Sequence, residues 1–138
     1  MAARSKARKR ALDVLYAADA READPVQLLA DRLADADATP LGDYAEQLVR
    51  GVAEHLTRLD SLIAQHSIDW SLDRMPAVDR AILRIAVWEI VYAADVPPAV
   101  AVDEAVELAK TLSTDNSPRF VNGVLGQIVS IAPELRGA

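Results

Sequence analysis

Cysteine is absent from the 138 residues. That excludes a disulfide scaffold, thiolate metal ligands and a cysteine nucleophile, and it fits a reducing compartment. Long apolar runs are also missing. None approaches the ~18 residues a spanning helix needs, and the basic N-terminus lacks the apolar stretch of a signal peptide. Strand-type alternation does not persist over any useful length. Phenylalanine occurs once and glycine five times. What is present is a globular mixture, 51% hydrophobic and 26% charged. The length suits one domain, since domains usually run ~100–150 residues. The expectation is a soluble, intracellular, single-domain chain over residues 1–138.

The net charge of −6 argues by itself against nucleic acid, but the distribution does not. Arg4, Lys6, Arg8, Lys9 and Arg10 all fall within the first ten residues, with no acid among them. The other 128 residues carry ten basic and twenty-one acidic groups. A short basic arm on an acidic body can neutralise phosphates, while the body attracts a basic protein. A solvated N-terminus gives the same pattern without function.

Periodicity predicts helices nearly throughout. The first spans about Ser5 to Asp19, with Ala7, Ala11, Val14, Leu15 and Ala18 on one face. Its first turns are crowded with cations, which the helix dipole disfavours and a bound phosphate would relieve. Asp24-Pro25 reads as a cap and first-turn proline opening a second helix to about Asp37. Asp43 is placed to cap a third, reaching Gln65, and a run that long predicts a kink or split. His66 to Met75 forms a connector with a short helical turn near Ser71. A central helix follows from Pro76 to about Ala94, then one from Ala99 to Leu112. Ser117-Pro118 is the cleanest helix start, cap then proline, and Pro133 ends that last helix. The sum is six long helices and a seventh short one.

The search for catalytic chemistry returns little. His55 and His66 are eleven apart, whereas a zinc pair on a helix stands at i and i+4. No phosphate loop, dinucleotide fingerprint or Gly-x-Ser-x-Gly element occurs. No metal site and no cofactor is expected. Gly123 within a helical period predicts a close helix crossing, because glycine there costs ~1 kcal/mol against alanine. Asp103, Glu104 and Glu107 suit either a favourable acidic first turn or a partner surface. Arg80 and Arg84 share a helix face, so they either extend a positive track or pair with acids. Phe120, beside Arg119, fits a core position and equally a platform for stacking bases.

Three segments together carry a resemblance. These are the basic start from Arg4 to Tyr16, the stretch from Trp70 through Val78-Asp79-Arg80-Ala81-Ile82-Leu83-Arg84-Ile85 to Glu89, and Pro97 through Asp103-Glu104-Ala105 to Phe120-Val121-Asn122-Gly123-Val124-Leu125. In order and spacing the chain resembles the NusB family of bacterial transcription antitermination factors. The resemblance implies an all-α fold of two small packed bundles. It implies no catalysed reaction. It implies binding of the boxA element of nascent ribosomal RNA leaders as a single strand, jointly with a small-subunit ribosomal protein (NusE). The setting is the cytoplasmic RNA polymerase antitermination complex on ribosomal RNA operons. The family domain also occurs fused to RNA-modifying methyltransferases, for which 138 residues leave no room.

Carried over residue by residue, the resemblance assigns Arg4, Lys6, Arg8, Lys9, Arg10, Arg119 and Phe120 to RNA. It assigns Asp79, with Arg84 and Glu89 on the same helix, to the ribosomal protein. Asn116 stands where many relatives have an acid, which implies somewhat tighter RNA binding here. The arm and the start of the last helix are expected to make a positive surface. Five arm cations on phosphate would give a log affinity–log salt slope near about −3.5, at ~0.7 per contact on single strands. A homodimer stays open, since self-association can cover an apolar surface. The alternative reading is a helical protein-interaction module without intrinsic RNA specificity.

Overall fold

A computed structural model describes residues 3–68 and 70–137. Asp69, inside the connector predicted from sequence, lies outside the described residues. Among the described residues there are eight helices and no strand, and the chain divides into two compact units, Met1–Glu54 and His55–Ala138.

The first unit holds α1 (Ala3–Ala20), α2 (Pro25–Ala34) and α3 (Asp43–Glu54), each packed on the other two. Leu29, Leu48 and Val49 are fully enclosed. Asp24 caps α2 as its sequence predicts, accepting from the Val26 N–H at 3.0 Å. The helix stops at Ala34, earlier than expected. The Asp35 carboxylate accepts from the Asp37 N–H at 3.0 Å, and this local turn competes with the helical ladder. Asp43 does not cap α3. The Gly42 carbonyl accepts the first helical bond, from Glu46, so the cap position is Gly42. Its φ of +86° is open to glycine and costly for other residues.

The long run predicted from Asp43 to Gln65 does split. His55, at φ −111° and ψ 20°, separates α3 from α4 (Leu56–His66). The second unit continues with α5 (Ala77–Tyr92), α6 (Pro98–Leu112), α7 (Ser117–Ser130) and α8 (Ala132–Gly137). Helix α5 is central within it, packing against α4, α6, α7 and α8. Eleven of its sixteen residues are buried, which explains the broad apolar face seen in the sequence.

Helix α7 ends at Ser130, beside the Ile131 expected from sequence, but Pro133 does not stop the chain from turning helical again: it stands in the first turn of α8, where a missing N–H is harmless. The short helix it opens is tied down by Arg136. That guanidinium donates to the carbonyls of Ile90 (2.6 Å), Val96 (2.8 Å), Ala93 (3.1 Å) and Glu89 (3.3 Å). The last carbonyls of a helix lack intrahelical donors, and Arg136 supplies them to α5. Gly123 does not mark a helix crossing either. A Cβ there would meet no atom within 4 Å, and the residue is exposed.

Candidate nucleic-acid interface

In the second unit, the connector after α4 and the start of α7 border an open groove of about 480 Å³. Phe120 stands on the first turn of α7, half-buried. Its ring meets Trp70 with centroids 5.0 Å apart and planes inclined by 59°. The rings are tilted on each other, at a centroid separation within the range aromatic pairs favour. Ile68 also borders the groove and is 84% exposed. The polar rim comes from Asn116, Arg119, Gln127 and His66. Gly123 lies on the same wall and adds no side chain to it. The groove thus offers a flat aromatic face, an exposed cation and amide groups that can both donate and accept. An unpaired base needs the first, its phosphate the second and its edge the third.

The turn that presents Phe120 has its own anchor. Asp79, on α5 and fully buried, accepts from the Ser113 hydroxyl at 2.5 Å and from the Ser117 hydroxyl at 2.8 Å. The Thr114 N–H and hydroxyl stand 3.2 and 2.7 Å from the Ser117 oxygen. A hydroxyl has one hydrogen, so Ser117 donates it to the carboxylate and accepts from Thr114. Ser117 therefore does not cap its own helix as its sequence predicts. The capping position falls on Asn116, whose side chain makes no capping bond.

The connector is held to α5 by Arg80, which donates to the Leu72 carbonyl at 2.8 Å. The Ser71 hydroxyl donates to Asp73 at 2.9 Å and is the main reason that carboxyl sits below the ordinary range. Its backbone N–H and the nearby Arg74 and Arg80 charges act in the same direction. Arg84 forms a two-point ion pair with Asp60 of α4, at 2.8 and 2.9 Å, mostly shielded from solvent. Arg80 and Arg84 are thus occupied within the unit and do not extend a positive track. Glu89 is 1% exposed. Asp79, Arg84 and Glu89 lie along one helix but present little or no surface. No buried polar side-chain atom lacks a partner among the described residues.

In the first unit the basic segment is not an arm ahead of a helix, because α1 already begins at Ala3. Helical geometry sorts its cations. Arg4 and Arg8, one turn apart, both face the Tyr44 ring of α3, at 4.3 and 5.9 Å from its centre. Arg8 is only 3% exposed. Lys6, Lys9 and Arg10 fall within an arc of about 100° on the other side, at ~100° per residue. Lys9 pairs loosely with Asp13 at 3.6 Å across an exposed turn, a contact of small energy. The sequence supplied five candidate cations, and the fold leaves three of them directed away from Tyr44.

The chain as a whole is similar to known proteins. Residues 5–130 match the NusB family. Over 135 residues the chain is 58% identical to the transcription antitermination protein NusB of a Nocardioides species, covering 98% of this chain and 99% of that one. It is 56% identical to the NusB of Kineococcus radiotolerans, covering 98% of each. The chain belongs to the NusB family.

Solved structures agree with that membership. The fold is similar to T. maritima NusB, with a TM-score of 0.84 at 34% identity over 99% of this chain and 97% of that one. It is similar to a chain in the crystal structure of the antitermination factors NusB and NusE in complex with dsRNA. There the TM-score is 0.79 at 31% identity, over 92% of this chain and 96% of that one. As a NusB protein the chain is a transcription antitermination factor and not an enzyme. Among the described residues no helix is long and apolar enough to cross a membrane.

Sequence reasoning missed the parts of the groove that border Phe120. The sequence marks Trp70 as part of the family pattern but not as a ring partner of Phe120, because the two are fifty residues apart and only the fold brings them to 5.0 Å. Ile68 carried no distinguishing signal, because Trp70, Leu72 and Met75 are apolar neighbours in the same connector. Tyr44, which takes both Arg4 and Arg8, had no signal either.

Proposed function

We propose that this chain binds boxA-type single-stranded RNA together with a small-subunit ribosomal protein, as the cytoplasmic RNA-recognition part of an RNA polymerase antitermination complex on ribosomal RNA operons. Both units, residues 1–138, serve as one RNA-binding domain in this reading. The observation that carries it is the groove beside Phe120. The Trp70–Phe120 pair, the exposed Arg119 and the open wall at Gly123 together suit an unpaired base and its phosphate. Support also comes from a structural neighbour whose crystal holds NusB, NusE and dsRNA. A base already paired in a duplex keeps its faces stacked on its neighbours, so the aromatic groove favours the single strand over the duplex.

In this reading Lys6, Lys9 and Arg10 contact phosphates through their charge. Two of these three are lysines, which act as point charges and not as two-point clamps. Phe120 stacks on a base, and Arg119 takes an adjacent phosphate. Acidic surface draws in the basic ribosomal protein. Linkage then requires RNA to tighten the protein–protein contact by the same factor that the partner tightens RNA.

The deciding experiment is RNA binding to a boxA-type strand, a scrambled strand and a duplex, with and without the ribosomal protein, at two salt concentrations. Selective binding to the boxA strand that tightens with the partner supports the proposal. Equal, salt-sensitive binding to all three RNAs reduces it to a generic basic helix. Partner binding without any RNA affinity replaces it with a protein-interaction module.

A further inference from the structure

We infer that Asp79 is a positioning residue for the RNA groove, acting through Ser117 on Phe120, and not a contact for the protein partner. The inference rests on the groove being the RNA site. It starts from burial. Asp79 is 0% exposed, so its carboxylate has no surface to offer another protein. Both of its oxygens are taken by hydroxyls from the α6–α7 turn, Ser113 at 2.5 Å and Ser117 at 2.8 Å. Ser117 is the first residue of α7. Asn116 precedes it and Phe120 follows one helical turn later, and both border the groove.

A carboxylate is an expensive way to fill a core. Its desolvation is offset only when its oxygens are well bonded, and an apolar residue of similar volume would serve stability as well or better. What the carboxylate adds is direction. Two acceptor oxygens on a rigid, buried helix fix two hydroxyls that stand four residues apart across a turn. One of them sits at the root of the helix that presents Phe120. The turn itself is short and polar, so without that anchor it gains conformational freedom, which RNA must remove on binding. The acidic residue therefore favours RNA binding while lying out of reach of the RNA.

The test is a double-mutant cycle on boxA-type RNA affinity in the full chain, with Asp79→Asn, Asp79→Ala and Ser117→Ala each made alone and with Phe120→Ala. Melting curves set a temperature at which every variant is folded. If Asp79→Ala does not fold, Asp79→Asn and Ser117→Ala carry the cycle. The expected result is a loss of about tenfold for Asp79→Ala, equivalent to ~1.4 kcal/mol, and a smaller loss for Ser117→Ala. Neither loss should recur once Phe120 is already alanine. Affinity for the isolated ribosomal protein, measured without RNA, should be unchanged in all Asp79 and Ser117 variants.

Full additivity with Phe120→Ala would mean that Asp79 acts on general stability, and would overturn the inference. So would a loss of ribosomal protein affinity confined to the Asp79 variants, which would restore direct contact. Unchanged RNA affinity in folded Asp79 variants, with Phe120→Ala still losing affinity, would overturn this inference alone. Unchanged affinity in Phe120→Ala itself would overturn the groove reading and this inference with it.

Discussion

Trp70 and Phe120 hold each other in a tilted pair, 5.0 Å between ring centres, although fifty residues separate them in the chain. The pair gives the groove one aromatic wall built from two elements. Phe120→Ala removes the stacking face and should weaken boxA-type RNA binding by ~1–3 kcal/mol, the range for a base on an aromatic ring. Trp70→Ala should weaken it less, because Trp70 supports the ring it touches. Equilibrium binding of both variants checks this, and an unchanged affinity for Phe120→Ala would contradict it.

Salt dependence separates the cations of α1. Lys6, Lys9 and Arg10 face away from Tyr44, whereas Arg8 is buried. Replacing Lys6, Lys9 and Arg10 together by glutamine should flatten the log affinity–log salt slope by about 2, at ~0.7 per phosphate contact. Arg8→Met should leave the slope unchanged and lower the melting temperature instead. A titration series at four salt concentrations reads both effects.

Gly123 should show stability and binding moving in opposite directions. A methyl group there meets nothing within 4 Å, so Gly123→Ala should raise helix stability by up to ~1 kcal/mol. The same methyl projects from a wall of the groove. RNA affinity should fall while the melting temperature rises. Parallel changes in the two quantities would mean that the groove is not the binding surface.

Asn116 borders the groove and is exposed. Asn116→Asp adds a negative charge there at little change of shape. Two unit charges 4 Å apart in water repel by ~1 kcal/mol, so RNA affinity should fall by about fivefold at low salt. The loss should shrink as salt rises. Binding isotherms at two ionic strengths test both statements.

Arg136 should be the main anchor of α8. Its guanidinium serves four backbone carbonyls at the end of α5 and in the following loop. Hydrogen bonds from charged groups contribute ~1.5–3 kcal/mol each when removed. Arg136→Ala should cost at least the lower end of that range in chemical denaturation. Arg136→Lys should recover only part, since an ammonium cannot match the planar fork.

Helical class, most helix boundaries and the family were legible in the sequence, because they depend on local rules. Spacing of Val78, Ile82 and Ile85 sets the face of α5 whatever packs on it. Asp24-Pro25 opens α2 by its own side chain. The basic cluster and Phe120 could be found by residue type alone. Their availability could not. Which cations lie against a ring depends on α3, which brings Tyr44 to Arg4 and Arg8, and of these two only Arg8 is buried. Local rules failed where a distant group outbid a near one. The Ser117 hydroxyl had its own helix to cap, yet a buried carboxylate thirty-eight residues away accepts its hydrogen. Gly123 read as a packing residue from propensity, and only the placement of the neighbouring elements shows open space beside it. Sequence by itself determined which chemistry this protein carries and the helices that bear it, since both follow from side chains and their near neighbours. Tertiary structure decided which of those groups are exposed, paired or brought together, because burial and partners are set by elements far apart in the chain.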